Sequence, residues 1–326
     1  MILTLVETQP DGLAVDVSLE ALTFARSLSA EGGGVPVDAV VVGEVSDELR
    51  GQLAAYGVRT VHRLGGDDLA AYSGAGWASA ILIVREAAKS VVVLAAGTDR
   101  GNELMAHVAA RAGVAMAANV LSFSGLAPFV VTRQVVGGAA WEEMKLDERP
   151  AVFTVAGHAV EATPASTPGP ADVVEHTPEI AAADLVARVL STEQRVADES
   201  GDLKSARVVV GAGRGAGGPG GFADLLELTE LLHASLGVSR VVTSAGWRPH
   251  AEQVGQTGSR ISPELYIPCG ISGAIQHWAG CSSAKHILAI NTDPEAPMVT
   301  RATYAVIGDL HEVVPAINAE IKRRHS

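Results

Sequence analysis

Along the first third of the chain, hydrophobic and polar positions follow two alternating patterns. Short apolar runs rich in β-branched residues read as strands over 1–7, 37–42, 58–64 and 91–96. Between them, apolar residues recur at helical spacing over 19–28, 47–55, 78–89 and 101–112, the last closed by Gly113. Runs such as VDAVVV have almost no polar face. Strands of that kind, alternating with helices, predict a mostly parallel sheet covered by helices on both faces. Over 114–160 the pattern changes to short apolar runs with Gly137-Gly138 between two of them, which predicts hairpins appended to the sheet. Thr98-Asp99-Arg100-Gly101 stands at a strand-to-helix junction, where a nucleotide site or a plain N-cap by Thr98 or Asp99 would fit.

Between 160 and 204 the chain reads ATPASTPGPADVVEHTPEI and then a short helical pattern over 181–196. Pro164, Pro168, Pro170 and Pro178 oppose regular hydrogen bonding, so this stretch is expected to be an extended excursion between two domains, with the boundary near residue 200. The second half repeats the α/β alternation. Strands are expected over 206–210, 240–243, 265–269, 286–290 and 304–307, with helices over 222–236, from 274 and over 310–322. The expectation is an α/β chain of two domains, 1–200 and 201–326, each a mostly parallel sheet with helices on both faces. In open sheets of this class ligands lie beyond the carboxyl ends of the strands, here marked by Gly211, Ser244, Gly270, Asn291 and Asp309.

Composition narrows the functions. A length of 326 residues with 48% hydrophobic positions suits two packed cores. With 37 acidic against 24 basic side chains the net charge is −13, which disfavours nucleic acid or an anionic membrane as partner. The two cysteines, Cys269 and Cys281, are too few for a disulfide framework and lack zinc spacing, so both are expected to be buried thiols. No stretch approaches the ~20 apolar residues of a membrane span. MILTLVETQP is too short an apolar run for a secretion signal, so the protein is expected to be soluble and cytoplasmic.

Candidate chemistry concentrates in 251–294. LYIPC reads as a buried strand, GISG as a tight turn, and a helix begins near Ala274. Such a turn leaves backbone N–H groups unpaired at a helix start, where a phosphate can approach without meeting a Cβ. Upstream, Gln253-Val254-Gly255-Gln256-Thr257-Gly258 is a glycine-framed polar loop. Gly213, Gly215 and Gly218 fit G-x-G-x-x-G and invite an NAD reading, but the strand expected next ends at Ser244 without the acid that holds a ribose. Asp309 precedes the last helix, where capping and ligand contact are compatible.

In order and spacing, QVGQTG, PELYI, GISGAIQH and INTDPEAP resemble the FAD-binding segment of the alpha subunits of electron-transfer flavoproteins. The likeness extends from about residue 207 to the C-terminus and is weaker over 1–200. It implies a doubly wound FAD-binding fold in the second domain and one FAD per heterodimer with a beta subunit, in which AMP can bind. It also implies electron donation by flavoprotein dehydrogenases, such as the acyl-CoA dehydrogenases of fatty acid β-oxidation, and single-electron delivery to a quinone-linked oxidoreductase. By the same resemblance Arg214 and His277 flank the isoalloxazine, Thr257 bonds near N5 and His277 near O2. Ser239, Val254, Gly255, Gln256, Ser272, Gly273, Ala274, Ile275 and Gln276 hold the ring, ribityl chain and pyrophosphate, and Asn291 and Asp309 reach the adenosine end. Arg240, Gln253, Gly270, Ile271 and Leu310 complete the implied set. The chain departs from the family at Ser244, where an acid is usual, at Pro268-Cys269 and at Thr292. Two alternatives stay open: an electron-bifurcating complex that uses NADH, and a nucleotide-binding scaffold without redox chemistry.

Overall fold

Apolar runs such as VDAVVV and VVLAA must be covered from both sides, and a computed structural model shows how. It describes residues 1–135, 140–192, 203 and 206–325. The chain divides into two compact units, one built from Met1–Val135 and Trp141–Glu193, the other from Gln194 onward.

In the first unit the elements run β1 (Ile2–Leu5), α1 (Asp16–Glu31), β2 (Val37–Val42), α2 (Asp47–Ala55), β3 (Thr60–Leu64), α3 (Asp67–Ala70), α4 (Gly74–Ala88), β4 (Val92–Ala96) and α5 (Asp99–Ala112). They continue with β5 (Met116–Leu126), β6 (Phe129–Val135), β7 (Ala140–Lys145), β8 (Ala151–Val155) and β9 (Asp172–His176). The sheet order is β7-β6-β5-β8-β4-β1-β2-β3-β9. From β5 to β9 all neighbours are parallel, and the β5–β6 hairpin adds an antiparallel edge. Leu22, Phe24, Leu49 and Leu53 cover one face from α1 and α2, while Ile81, Val84, Leu104 and Val108 cover the other from α4 and α5. Gly137-Gly138 lies outside the described residues.

Two expectations for this unit change. The proline-rich stretch is not merely an excursion. Ala165 and Gly169 donate backbone hydrogen bonds to Ala55 and Ala54 (both 2.8 Å), and Asp172–His176 pairs in parallel with β3 as an edge strand. Prolines end just before it, at Pro170, so its N–H groups are free to pair. A buried polar cluster fastens this edge: Asp38 is ion-paired to Arg59 at 2.6 Å, and His62 lies 2.9 Å from His176 across β3 and β9. Burial pushes the Asp38 carboxyl up, but hydrogen bonds from His62 and Arg59 outweigh it and hold the group below its usual range. The helix expected over 181–196 is a single 3₁₀ turn, Ala182–Leu185, and residues 193–196 lie outside the described ones. At the Thr98 junction the capping alternative holds, since its hydroxyl accepts from the Gly101 N–H at 2.7 Å.

The second unit contains β10 (Val208–Ala212), α6 (Ala223–Leu232), β11 (Ser235–Val238), α7 (Arg240–Ser244), β12 (Leu265–Cys269), α8 (Ile275–Cys281), β13 (His286–Asn291), α9 (Pro297–Thr300), β14 (Tyr304–Ile307) and α10 (Leu310–His325). All five strands are parallel, in the order β11-β10-β12-β13-β14. Strand alternation divides β12 cleanly. Ile267 and Cys269 face the α6 and α10 side with Leu225 and Val314, whereas Tyr266 faces the opposite side with Cys281 and Met298.

The second strand is displaced from its expected place. Residues 240–243 begin a short helix, α7, and the strand is Ser235–Val238, because α6 stops at His233 in a left-handed conformation (φ 50°) rather than running on to Gly237. Gly237 sits inside the strand, where a Cβ would lie 2.8 Å from Val254 Cγ2. The β-branched pair Val241-Val242 resembles a strand locally, but Val241 is exposed and only Val242 reaches the core.

Phe153 in β8 is fully buried and meets Phe24 and Phe129 edge-on, each with ring centroids 5.9 Å apart. Phe153→Ala should destabilise the first unit by about 3–5 kcal/mol in urea unfolding. A loss below about 1 kcal/mol would mean that this ring cluster is not the centre of that core.

Candidate functional site

The chain leaves β10 toward β11 on one side and returns to β12 on the other, so the loops after β10 and β12 diverge at their carboxyl ends. That reversal of strand order is the switch point at which open α/β sheets bind ligands, and 2-1-3-4-5 is the flavodoxin-like version of it. Here the two loops touch. Gly213 N–H donates to Cys269 O at 2.9 Å and Gly215 N–H to Gly270 O at 3.2 Å. A Cβ on Gly213 would stand 2.1 Å from Gly270 O, and one on Gly215 would stand 2.7 Å from Gly270 Cα, so no other residue fits either position. Gly213, Gly215 and Gly218 therefore serve loop contact and two 3₁₀ turns, not a helix start, since α6 begins only at Ala223. The NAD acid is also missing at the true strand end, where Val238 is followed by Ser239 and Arg240.

Beyond β12 the backbone turns through Gly270 (φ +61°) and Gly273 (φ +77°). Gly270 N–H is taken by Ile290 O, but the next four N–H groups, over 271–274, donate to no acceptor among the described residues. Four consecutive unpaired amides before α8 form a concentrated donor array suited to an anion. Gly273 could carry no side chain, since a Cβ would lie 2.5 Å from Met298 N. The Asn291 side chain donates to Ile271 O (2.9 Å) and accepts from Asp293 N–H (3.1 Å), so it ties the loop after β12 to the loop after β13.

The QVGQTG loop reaches the same edge from α7. Gln253 is buried and uses both ends of its amide: Thr243 donates to its oxygen (2.6 Å), and its nitrogen donates to Thr257 Oγ1 (3.0 Å). Gly255 packs on the backbone of α8 at Gly280, where a Cβ would come within 2.3 Å of Gly255 N, and Gln256 N–H donates to Gln276 O at 2.7 Å. Ser239 N–H donates to Ala212 O at 3.0 Å, which sets Ser239 and Arg240 beside the end of β10.

The nineteen residues implied by resemblance thus separate into two sets. Arg214, Arg240, Gln256, Thr257, Ser272, Ala274, Ile275, Gln276 and Asp309 are exposed, and Ser239 is half-buried. Gln253, Val254, Gly255, Ile271, Gly273, His277 and Leu310 are buried, and with Gly270 and Asn291 they shape the loops. Asp309 caps α10 by accepting from His311 N–H at 2.9 Å. Leu310 packs beneath Gly215 and Gly270, where its Cδ2 would meet a Cβ on either.

His277 is 7% exposed; its Nε2 lies 2.8 Å from the Tyr266 hydroxyl and its Nδ1 has no hydrogen-bond partner among the described residues. Burial pushes its pKa down to about 4, opposed only in part by the nearby Val254 backbone, which makes no full hydrogen bond to the ring. Tyr266 was not recognisable as part of this site except by one signal, a phenol inside an apolar strand that must find a buried partner. An apolar groove of about 580 Å³ lies elsewhere, along α10 between Val313 and Arg324. It is lined by one face of a single helix, where Glu320 and Arg324 pair with each other, and it is not the ligand crevice.

A free amide array, an orphaned buried imidazole nitrogen, two exposed guanidinium groups and glycine loops too close for any Cβ fit a long ligand with an anionic centre, as FAD is. Residues 202–282 match the family described as "Electron transfer flavoprotein FAD-binding domain", and residues 2–181 match "Electron transfer flavoprotein domain". Among curated proteins the chain is similar to the electron transfer flavoprotein subunit alpha of Thermoanaerobacterium thermosaccharolyticum, at 35% identity over 97% of this chain and 96% of the relative. It is 34% identical to that of Bacillus subtilis over 96% and 95% of the two chains, and 37% identical to that of Mycobacterium tuberculosis over 99% and 98%.

Because the folded pKa of His277 is about 4 and its ordinary value 6.5, the unfolded chain binds the extra proton between those values. Stability from this group is complete above pH 6.5 and is lost as pH falls toward 4, by roughly 3 kcal/mol in total. Urea unfolding of the flavin-free chain at pH 7 and pH 4.5 should show a steeper decline for wild type than for His277→Gln. Parallel pH dependences would mean that His277 is not buried neutral.

Proposed function

The chain belongs to the electron transfer flavoprotein alpha-subunit family, and on that footing we propose that it is the FAD-carrying half of a heterodimer with a beta subunit. In this reading FAD lies in residues 201–326, one per heterodimer, with AMP left to the beta subunit. The observation that carries the assignment is the run of unpaired amides over 271–274 at the switch point, which supplies donors where a pyrophosphate needs them. Ser272, Gly273 and Ala274 hold the pyrophosphate, while Gln256, Ile275 and Gln276 line the ribityl chain and ring. Asn291 and Asp309 serve the adenosine end, with Asn291 also holding the loop in shape.

When bound, the flavin supplies one- and two-electron redox chemistry. The protein's part is placement and charge. Arg214 is exposed on a glycine turn that gives it no packing role, and it forms no ion pair among the described residues, so its guanidinium is available to negative charge on the ring. Thr257 is oriented by Gln253, whose amide fixes the threonine oxygen as an acceptor and so leaves its own O–H free to donate. Val254 and His277 are buried, and a ring bound against them would be shielded from water on that side.

The wider role follows from the family. The heterodimer accepts electrons from flavoprotein dehydrogenases, acyl-CoA dehydrogenases of fatty acid β-oxidation among them, and passes them singly to a quinone-linked oxidoreductase. It works as a carrier in the cytoplasm rather than as an enzyme with its own substrate. Among the described residues no helix is long and apolar enough to cross a membrane.

Co-expression with the beta subunit should yield a complex holding one FAD, and Arg214→Ala should weaken FAD binding about tenfold, the loss of one charge-assisted hydrogen bond, in a fluorescence titration. A complex that takes up no flavin even after FAD is added would refute the assignment. Two flavins per heterodimer with NADH oxidation would replace the carrier with a bifurcating role.

A further inference from the structure

Tyr266 is fully buried in the middle of the second unit, and its neighbours are arranged around its hydroxyl. β12 alternation turns the ring toward α8, where it lies at 23° to the His277 ring with centroids 6.1 Å apart. On the adjacent strand, a Cβ on Gly211 would stand 2.5 Å from the Tyr266 hydroxyl oxygen. Gly211 therefore makes room for the hydroxyl, which reaches His277 Nε2 at 2.8 Å. Among the described residues no other hydrogen-bond partner is within its reach. The neighbouring Cys269 thiol points instead to Ile267 O at 3.5 Å.

The direction of the Tyr266–His277 hydrogen bond follows from matching the buried donors to the buried acceptors. At neutral pH the imidazole carries one proton, because burial holds its pKa near 4, and burial pushes the phenol well above its ordinary range, so it keeps its own. If Nε2–H donated to the phenol oxygen, the phenol hydrogen and the Nδ1 lone pair would both be buried without partners. If the phenol donates, Nε2 is satisfied, and Nδ1–H and the phenol oxygen lone pairs are left without partners among the described residues. Each arrangement leaves one donor and one acceptor idle. The second joins the stronger donor, the phenol O–H, to the stronger acceptor, the bare imidazole nitrogen, and the acceptor it leaves idle is only the weak phenol oxygen, so it wins.

We propose that Tyr266 is a positioning residue: by donating to Nε2 it fixes His277 as the Nδ1–H tautomer, so that α8 offers a buried hydrogen-bond donor rather than an acceptor. Its consequence for the flavin rests on the reading given above, since a donor suits the electron-rich O2 edge and an acceptor would repel it. The tautomer itself does not depend on flavin.

Long-range ¹H–¹⁵N correlation spectra of the ¹⁵N-histidine-labelled full chain, in complex with its beta subunit at pH 7, test this directly, with His277 identified by its absence in His277→Gln. Wild type should show His277 protonated at Nδ1 and bare at Nε2, with or without FAD. Tyr266→Phe should move the proton partly or wholly to Nε2, and Gly211→Ala, which displaces the hydroxyl while keeping both partners, should do the same. Either variant should also weaken FAD binding several-fold if Nδ1–H meets the ring. An Nε2–H tautomer in wild type overturns the proposal even if neither variant folds, and so does an unchanged Nδ1–H tautomer in folded Tyr266→Phe. Loss of flavin binding with the Nδ1–H tautomer intact would strike the flavin reading alone.

Discussion

The contact between two backbones at the switch point constrains everything built around it. The loop after β10 and the loop after β12 meet through Gly213, Gly215 and Gly270, with hydrogen bonds of 2.9 and 3.2 Å between them. With no Cβ in the way, the loop after β12 can turn through two left-handed glycines and leave its next four amides unpaired. Leu310, at the start of α10, supports this contact from below, and Met298 closes on Gly273 from the side. The donor array is thus a product of close packing, and it is held in place by strands that are themselves buried on both faces.

Around that array, buried polar side chains orient the exposed ones. Gln253 spends its amide on Thr243 and Thr257, Asn291 spends its own on two loops, and Tyr266 spends its hydroxyl on His277. Each of these three thereby fixes a group on the loops, or on α8, beyond the strand ends. Exposed Arg214 and Arg240 supply positive charge at these loops in a chain of net charge −13. In the first unit the corresponding carboxyl edge is occupied differently. Glu7, largely buried, lies 2.5 Å from the Thr98 hydroxyl, which itself caps α5. A carboxyl group at that place is poorly suited to a phosphate.

Much of this was legible in the sequence. VDAVVV, VVLAA and LYIPC have almost no polar face and read as doubly covered strands, and the glycine-framed QVGQTG and GISGAIQH segments marked the loops at the strand ends. What failed did so where local pattern and tertiary packing disagree. Arg240–Ser244 looks like a strand because of two valines, yet the strand is Ser235–Val238, whose serine and glycine weaken the local signal. Asp172–His176 looked like linker because prolines precede it, and only the free edge of β3 gives it a partner. The part played by Tyr266 depends on Gly211 in another strand, a pairing that periodicity within either strand does not contain.

Amide hydrogen exchange in the flavin-stripped heterodimer, with and without added FAD, is the most direct test of where the ligand lies. The account predicts that the amides over 271–274 exchange rapidly without FAD and become strongly protected when it binds, while those along α10 between Val313 and Arg324 do not change. Unaltered exchange over 271–274, with protection appearing instead at 98–101 in the first unit, would contradict it.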